Sequence, residues 1–346
     1  MKKRIGRILS CGVLVLTAVF VLSACGGGGG GGSTPSSGGS GGGMTYTGAT
    51  QKAPVTNSTS KAILSDLYSD ASSGNNLVGV SSQNGNGSND QSGPSLLLIA
   101  KDLSDAAGRI NASSSTAGVV QGATQSSTQT ISGPCGGSAT IEITVDTSND
   151  TFSGTATFSN YCGLGLTVNG TGDYTGSVNS QGLPQQFSFS TNGLTAAIGA
   201  QSLTMAGSIG YSSITWDANT DMTGFTASEN LYVDDADNVY WADNITLGCT
   251  FTYTSGSLSG IDLSIASGAF YDPLYGYVIP STPTPFAFLS SNGWDYPSAG
   301  EITVTGANNS SAELSVPSYG YADIKVDADG NGVYEYDSGT IPWSQI

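Results

Sequence analysis

Leu164-Gly-Leu166-Thr-Val168-Asn-Gly170-Thr-Gly172-Asp-Tyr174-Thr-Gly176-Ser-Val178 decides the fold. Leucine, valine, tyrosine and glycine occupy alternate positions through the whole stretch. Thr167, Asn169, Thr171, Asp173 and Thr175 fill the positions between. A period of two sends the first set to one face of a strand and the second to the other. The stretch therefore reads as a long strand with one wet face, as antiparallel sheets permit. Glycines on the apolar side predict a bend or a close approach by another element.

The same period extends in both directions. Upstream, Ile141, Ile143 and Val145 alternate with Glu142, Thr144 and Asp146, the turn Thr147-Ser-Asn-Asp150 follows, and Phe152, Gly154, Ala156 and Phe158 continue. Downstream come Phe187 and Phe189, then Leu203, Met205, Gly207, Ile209 and Tyr211. At Ser212-Ser213 the phase slips before Ile214 and Trp216, which predicts a bulge. Asp-rich turns at 217–221 and 234–238 precede strands over 244–255, 258–272 and 275–290. Shorter strands follow at Ile302–Val304, Ala312–Val316, Ile324–Val326, Val333–Tyr336 and Ile341–Trp343. A dozen or so strands joined by short turns make an antiparallel meander across 128–346.

Residues 57–127 have another rhythm. Ile63, Leu64, Leu67, Tyr68 and Ala71 form one stripe of a helix over 59–72. Pro94 opens a second helix with Leu96, Ile99, Ala100, Leu103, Ala107 and Ile110 on one side. Polar loops fill 73–93 and 113–128. The class expected is mainly β: a large curved antiparallel sheet or incomplete barrel with two N-terminal helices packed on its apolar face. A β-sandwich is the alternative packing.

The first 24 residues are a signal peptide by layout. Lys2, Lys3, Arg4 and Arg7 precede an apolar core, and small residues lead to Cys25. Leu22-Ser23-Ala24-Cys25 resembles the lipobox of bacterial lipoproteins. The resemblance implies lipidation of Cys25, anchorage in the membrane through it and, with Gly26 rather than Asp next, an outer-membrane address facing the periplasm or the cell surface. Several acyl chains make such an anchor stable, at about 0.8 kcal/mol per buried CH₂. Residues 25–56, glycine- and serine-rich at the start, read as a flexible tether. The order of helices before a meander is similar in outline to the lipoprotein-carrier (Lol) fold.

Composition removes much chemistry. There is no His, so no Ser-His-Asp triad, Cys-His dyad or His-ligated zinc. Four of the nine Lys and Arg lie before Cys25, so five basic side chains face 26 acidic ones beyond it, a formal charge of −21. Such a surface repels nucleic acid and lacks phosphate clamps. Of the five cysteines, Cys135 and Cys162 flank one hairpin and are expected to pair. Cys249 alternates with Leu247 and Phe251 and is expected to be a buried, inert thiol.

Asp327-Ala-Asp329-Gly-Asn331-Gly332-Val333-Tyr-Glu335 resembles the start of a calcium loop. Asp327, Asp329 and Asn331 can converge through side-chain oxygens, Val333 through its carbonyl, and Glu335 completes the set. Ser338 stands where an EF-hand has its bidentate Glu, and a bare Asx-rich turn is the competing reading. Asp234, Asp235 and Asp237, with Glu229 and Asp243 nearby, form a second acidic patch that reads as a solvated turn, since its spacing fits no metal loop. Aromatic pairs such as Tyr240-Trp241 and Phe270-Tyr271 point to both faces of their strands and suit either core filling or a ligand surface.

The function expected is a non-enzymatic binding or structural lipoprotein of the cell envelope, with an apolar (lipid) ligand between sheet and helices. A surface adhesion or carbohydrate-binding lipoprotein stabilised by calcium is the alternative, and a carboxylate-dependent hydrolase the least favoured.

Overall fold

The computed structural model describes residues 44–72 and 124–346, except 134, 147, 164, 165, 182, 199, 200, 220, 236, 237, 294 and 295. The signal peptide, Cys25 and the helix expected over 94–110 lie outside the described residues.

Among the described residues one α-helix and fifteen strands follow in order. Helix α1 is Ser60–Ser72. The first strands are β1 Thr124–Ser132, β2 Gly136–Asp146, β3 Thr151–Gly163, β4 Leu166–Val178 and β5 Pro184–Ile198. The middle strands are β6 Gln201–Trp216, β7 Met222–Asp234, β8 Val239–Thr254, β9 Ser257–Asp272 and β10 Gly276–Leu289. The last are β11 Ala299–Thr305, β12 Ser311–Ser318, β13 Tyr321–Asp327, β14 Tyr336–Asp337 and β15 Ile341–Pro342. They form one antiparallel sheet whose spatial order is the chain order from β1 to β14, with β15 beside β13. The meander expected from the sequence is present, as a single open sheet.

The opening stretch is β4. Phe152 of β3 lies opposite Gly176, and Tyr174 lies opposite Gly154. A Cβ at Gly176 would collide with the Phe152 ring, and one at Gly172 with the Phe189 ring of β5. Each glycine makes room for a neighbouring ring, which is the close approach anticipated for this face. The slip at Ser212-Ser213 is a register shift between Ser212 and Thr215, with Ser213 at φ 53°. A second bulge, at Asp243-Asn244 of β8, keeps Ala242 and Ile245 on the same side.

That side carries the core. Phe225, Leu247, Leu263, Phe286, Val304, Leu314 and Ile324 meet there with Ile63, Leu64 and Leu67 of α1. The helix packs against β9 and β12, and its three apolar side chains are at most 1% exposed. Each fully buried side chain of this kind contributes about 1.5–3 kcal/mol.

Several boundaries differ from expectation; the strand expected over Val333–Tyr336 is only Tyr336–Asp337, and Trp343 lies past β15. Residues 46–55, grouped with the tether by composition, lie on the sheet instead. The Ala53 N–H donates to the Tyr277 carbonyl (2.8 Å) and the Tyr277 N–H to that of Gln51 (3.0 Å), and Val55 is fully buried. Strand β8 starts at Val239 rather than 244, because the bulge hides its alternation. Strand β1 begins at Thr124, within the polar loop expected to 128: Thr-Gln-Ser-Ser has no apolar member to reveal its period.

Candidate functional site

Strand β13 delivers Asp327 into a tight turn, and β14 returns with Tyr336 opposite Val326. The buried Asp327 carboxylate organises the turn. Its Oδ1 accepts the N–H groups of Gly330 (2.8 Å) and Asn331 (3.1 Å), and its Oδ2 that of Gly332 (2.8 Å). Asp329 accepts from the Asn331 N–H (3.1 Å) and side-chain amide (3.0 Å). Glu335 Oε2 accepts from the Ala328 N–H (2.7 Å), and Asn331 Oδ1 from the Val333 N–H (2.7 Å). Carboxylate oxygens of Asp327, Asp329 and Glu335 lie within 4.8 Å of one another. Hard oxygens of this kind suit calcium. The turn also stands by itself, since amide N–H groups already occupy both Asp327 oxygens.

The second acidic group is divided. Asp234 and Asp235 sit at the β7–β8 turn, and Asp237 lies outside the described residues. Asp243 is on the outer face, where it raises the Tyr232 and Tyr271 hydroxyls after burial does. Glu229 points the other way. It pairs in register with Ile209 and Ile245 on the core side, and it is 2% exposed. Burial pushes its carboxyl up to about 8, and its Oε2 has no hydrogen-bond partner among the described residues. The alternation Ala227, Glu229, Leu231 carried this signal in the sequence. A further pair went unread there. Asp66 of α1 is pushed up to about 7 by burial and by the neighbouring Asp272 carboxyl. Asp272 Oδ1 accepts the N–H groups of Leu274 (2.7 Å) and Tyr275 (3.1 Å).

Cys135 and Cys162 form the expected disulfide, Cα atoms 5.1 Å apart, and close the β2–β3 hairpin. Cys249 is free and buried. Burial and then Asp262 push its thiol up, so it holds its proton and is a poor nucleophile.

The aromatics sort by face. Tyr240 stacks on Phe270 on the core side (6.0 Å, 16°). On the outer side Tyr232, Trp241, Tyr271 and Tyr277 occupy directly opposed positions on β7, β8, β9 and β10. Trp241 stacks between Tyr232 (5.5 Å, 12°) and Tyr271 (4.5 Å, 25°). Tyr46 crosses over both Trp241 and Tyr271. The Trp241 Nε1–H donates to Asn230 Oδ1 (2.9 Å). These rings spend their faces on one another. A sugar-stacking platform needs free faces, so the row serves the sheet.

The same outer face carries a groove further along the strands, a cavity of about 500 Å³. Gly224 lies opposite Thr250, and Gly248 opposite Thr226 and Ser264. The glycines leave the floor low. Ser213, Thr215, Thr223, Thr226, Thr250 and Ser264 supply hydroxyls and Asp262 one carboxylate, while Phe225, Cys249, Phe251 and Pro285 make the rest of the lining apolar. The Thr223 hydroxyl donates to that of Thr215 (2.9 Å), which donates to the Gly224 carbonyl (3.3 Å). Among the lining residues there is no Lys or Arg. The volume falls in the small-ligand range, and hydroxyls that both donate and accept match a polyol. Sequence reading missed this site because Ser and Thr are everywhere on the wet face. The available signal was Gly224 and Gly248 at positions where neighbouring strands carry hydroxyl side chains.

No protein-family model matches the chain, and no curated protein or solved structure matches it either.

Proposed function

We propose that the chain is an exported, non-enzymatic lipoprotein of the cell envelope, anchored in the outer membrane through Cys25, that binds a neutral polyhydroxyl ligand such as an oligosaccharide on the outer face of its sheet. The hydroxyl-lined groove of about 500 Å³ is the observation that carries the reading. Hydroxyl and carboxylate groups without basic neighbours accept and donate to sugar hydroxyls and offer nothing to a phosphate or sulfate. A glycosidase needs two facing carboxylates, and Asp262 is the one carboxylate among the lining residues. The apolar-ligand alternative has less support: Ile63, Leu64 and Leu67 of α1 fill the space against β9 and β12. In this reading the sheet is a broad curved platform, and calcium in the Asp327 turn stiffens its C-terminal end.

A glycan array probed with the detergent-solubilised full chain tests the ligand class. Binding confined to neutral glycans supports the reading; binding confined to anionic glycans, or none, contradicts it. Fractionation tests the anchor. Cys25→Ser is expected to release the chain from the outer-membrane fraction, and retention there rejects the lipid.

A further inference from the structure

The two ends of the sheet differ. At the C-terminal end β14 and β15 are two residues each, carry Asp337 and Pro342, and share the outer side of β13. Short, charged, proline-bearing edges resist pairing with other chains. At the other end β1 is nine residues, Thr-Gln-Ser-Ser-Thr-Gln-Thr-Ile-Ser, with neither charge nor proline. Its register with β2 runs unbroken from Thr124–Asp146 to Ser132–Ser138, so no bulge turns the edge away. Among the described residues β1 has a strand on one side only. Among the described residues β1 carries no charge, proline or bulge that would blunt it.

One set of alternate positions of β1 is close to self-complementary. Laid antiparallel on a second copy with Thr128 on the two-fold axis, Thr124 meets Ser132 and Ser126 meets Thr130. Thr128 meets itself. All five of these side chains are exposed, and every pair is hydroxyl on hydroxyl. The same chemistry already joins β1 to β2, where Ser126 bonds to Thr144 (2.8 Å) and Thr130 to Thr140 (3.2 Å). Thr–Thr and Thr–Ser cross-strand pairs stabilise antiparallel ladders. The chain is strongly acidic, so most of its surface repels another copy; β1 itself is uncharged, and the nearest carboxylates, Glu142 and Asp146, stand one strand back, opposite Thr128 and Thr124.

We infer that β1 is a homodimerisation edge: two copies join β1 to β1 about a two-fold axis at Thr128, and their sheets become one. Backbone hydrogen bonds carry the contact, as in other strand-addition interfaces, and the interface is isologous.

Single-cysteine cross-linking of the full chain in its own membrane tests this. The native cysteines stay out of the way: Cys135 and Cys162 are bonded and Cys249 is buried. Thr128→Cys places two thiols at the axis, where facing Cβ atoms are ~5 Å apart. A mild oxidant is expected to convert it to a disulfide dimer. Thr124→Cys, far from its own copy but next to Ser132, is expected to cross-link at least tenfold less by itself, and to recover when mixed with Ser132→Cys. Thr128→Lys is expected to lower the dimer fraction in native mass spectrometry at least tenfold. Folded Thr128→Cys protein that stays monomeric overturns the inference, including the case where another part of the same chain covers β1. Equal cross-linking from positions 124 and 128 overturns it too.

Discussion

Trp241 of β8 stacks on Tyr271 of β9, directly opposite in register, with ring centroids 4.5 Å apart and planes 25° from parallel. With Tyr232 on the other side, the indole joins three strands on the face away from the core. Trp241→Ala is expected to cost about 2–3 kcal/mol, below the value for a fully buried Trp because the ring is half-exposed. Urea unfolding checks this. The row is structural, so the same variant is expected to keep glycan binding; lost binding with an intact fold would make the row part of the site.

The pH dependence of stability follows from one buried carboxyl, Glu229, and one half-buried one, Asp66. Asp66 is raised to about 7 and Glu229 to about 8. In the unfolded chain both lose their protons near the ordinary values of 3.8 and 4.5. Between those values and pH 8 the folded state therefore binds more protons. Their contribution to stability is full below about pH 4 and falls as pH rises through 7 and 8. Asp146 and Asp217, held low by turn hydrogen bonds, matter only at more acidic pH. Calorimetry should give a higher Tm at pH 5 than at pH 8.5, and Glu229→Gln should flatten the upper part of the slope. A Tm rising steadily over that range contradicts these assignments.

What could be read from the sequence divides along physical lines. β4 was legible because Leu166, Val168, Tyr174 and Val178 hold one phase over thirteen residues. Its glycines were legible as close approaches, though not which rings would come. The turn from Asp327 to Glu335 was legible because its Asx and Gly residues have local jobs. β1 was not, since an edge strand of Ser, Thr and Gln has no apolar face to announce its period. β8 was legible only after its bulge, which exchanges odd and even positions at Asn244. Glu229 was misplaced among surface acids because charge outweighed periodicity; its place between Ala227 and Leu231 already put it inside. The groove depends on residues from five strands, β6 to β10, whose register no local pattern specifies.

The disulfide closes a loop whose ends are 27 residues apart, and chain entropy puts its contribution at about 3.5 kcal/mol. Cys135→Ser with Cys162→Ser is expected to lower denaturant stability by about that amount. Non-reducing peptide mapping of wild type should show the linked pair, and two free thiols would reject it.

Calcium in the Asp327 turn is tested by melting. Millimolar calcium, appropriate to a site with a Kd of about 10⁻⁴–10⁻³ M, should raise the Tm, and chelation should reverse the gain. Asp329→Ala should abolish the response while leaving the three N–H contacts of Asp327 in place. An unchanged melt in calcium assigns the turn to hydrogen bonding alone.

The groove is where the account is most exposed to refutation. Thr250 is an exposed side chain facing Gly224 and Asp262 across neighbouring strands, so Thr250→Trp fills the cavity from its wall without entering the core. Isothermal calorimetry with a neutral oligosaccharide that binds wild type is the direct measurement. Thr250→Trp is expected to bind at least tenfold more weakly at an unchanged Tm. Equal affinity in the two proteins would place the ligand elsewhere and contradict the account.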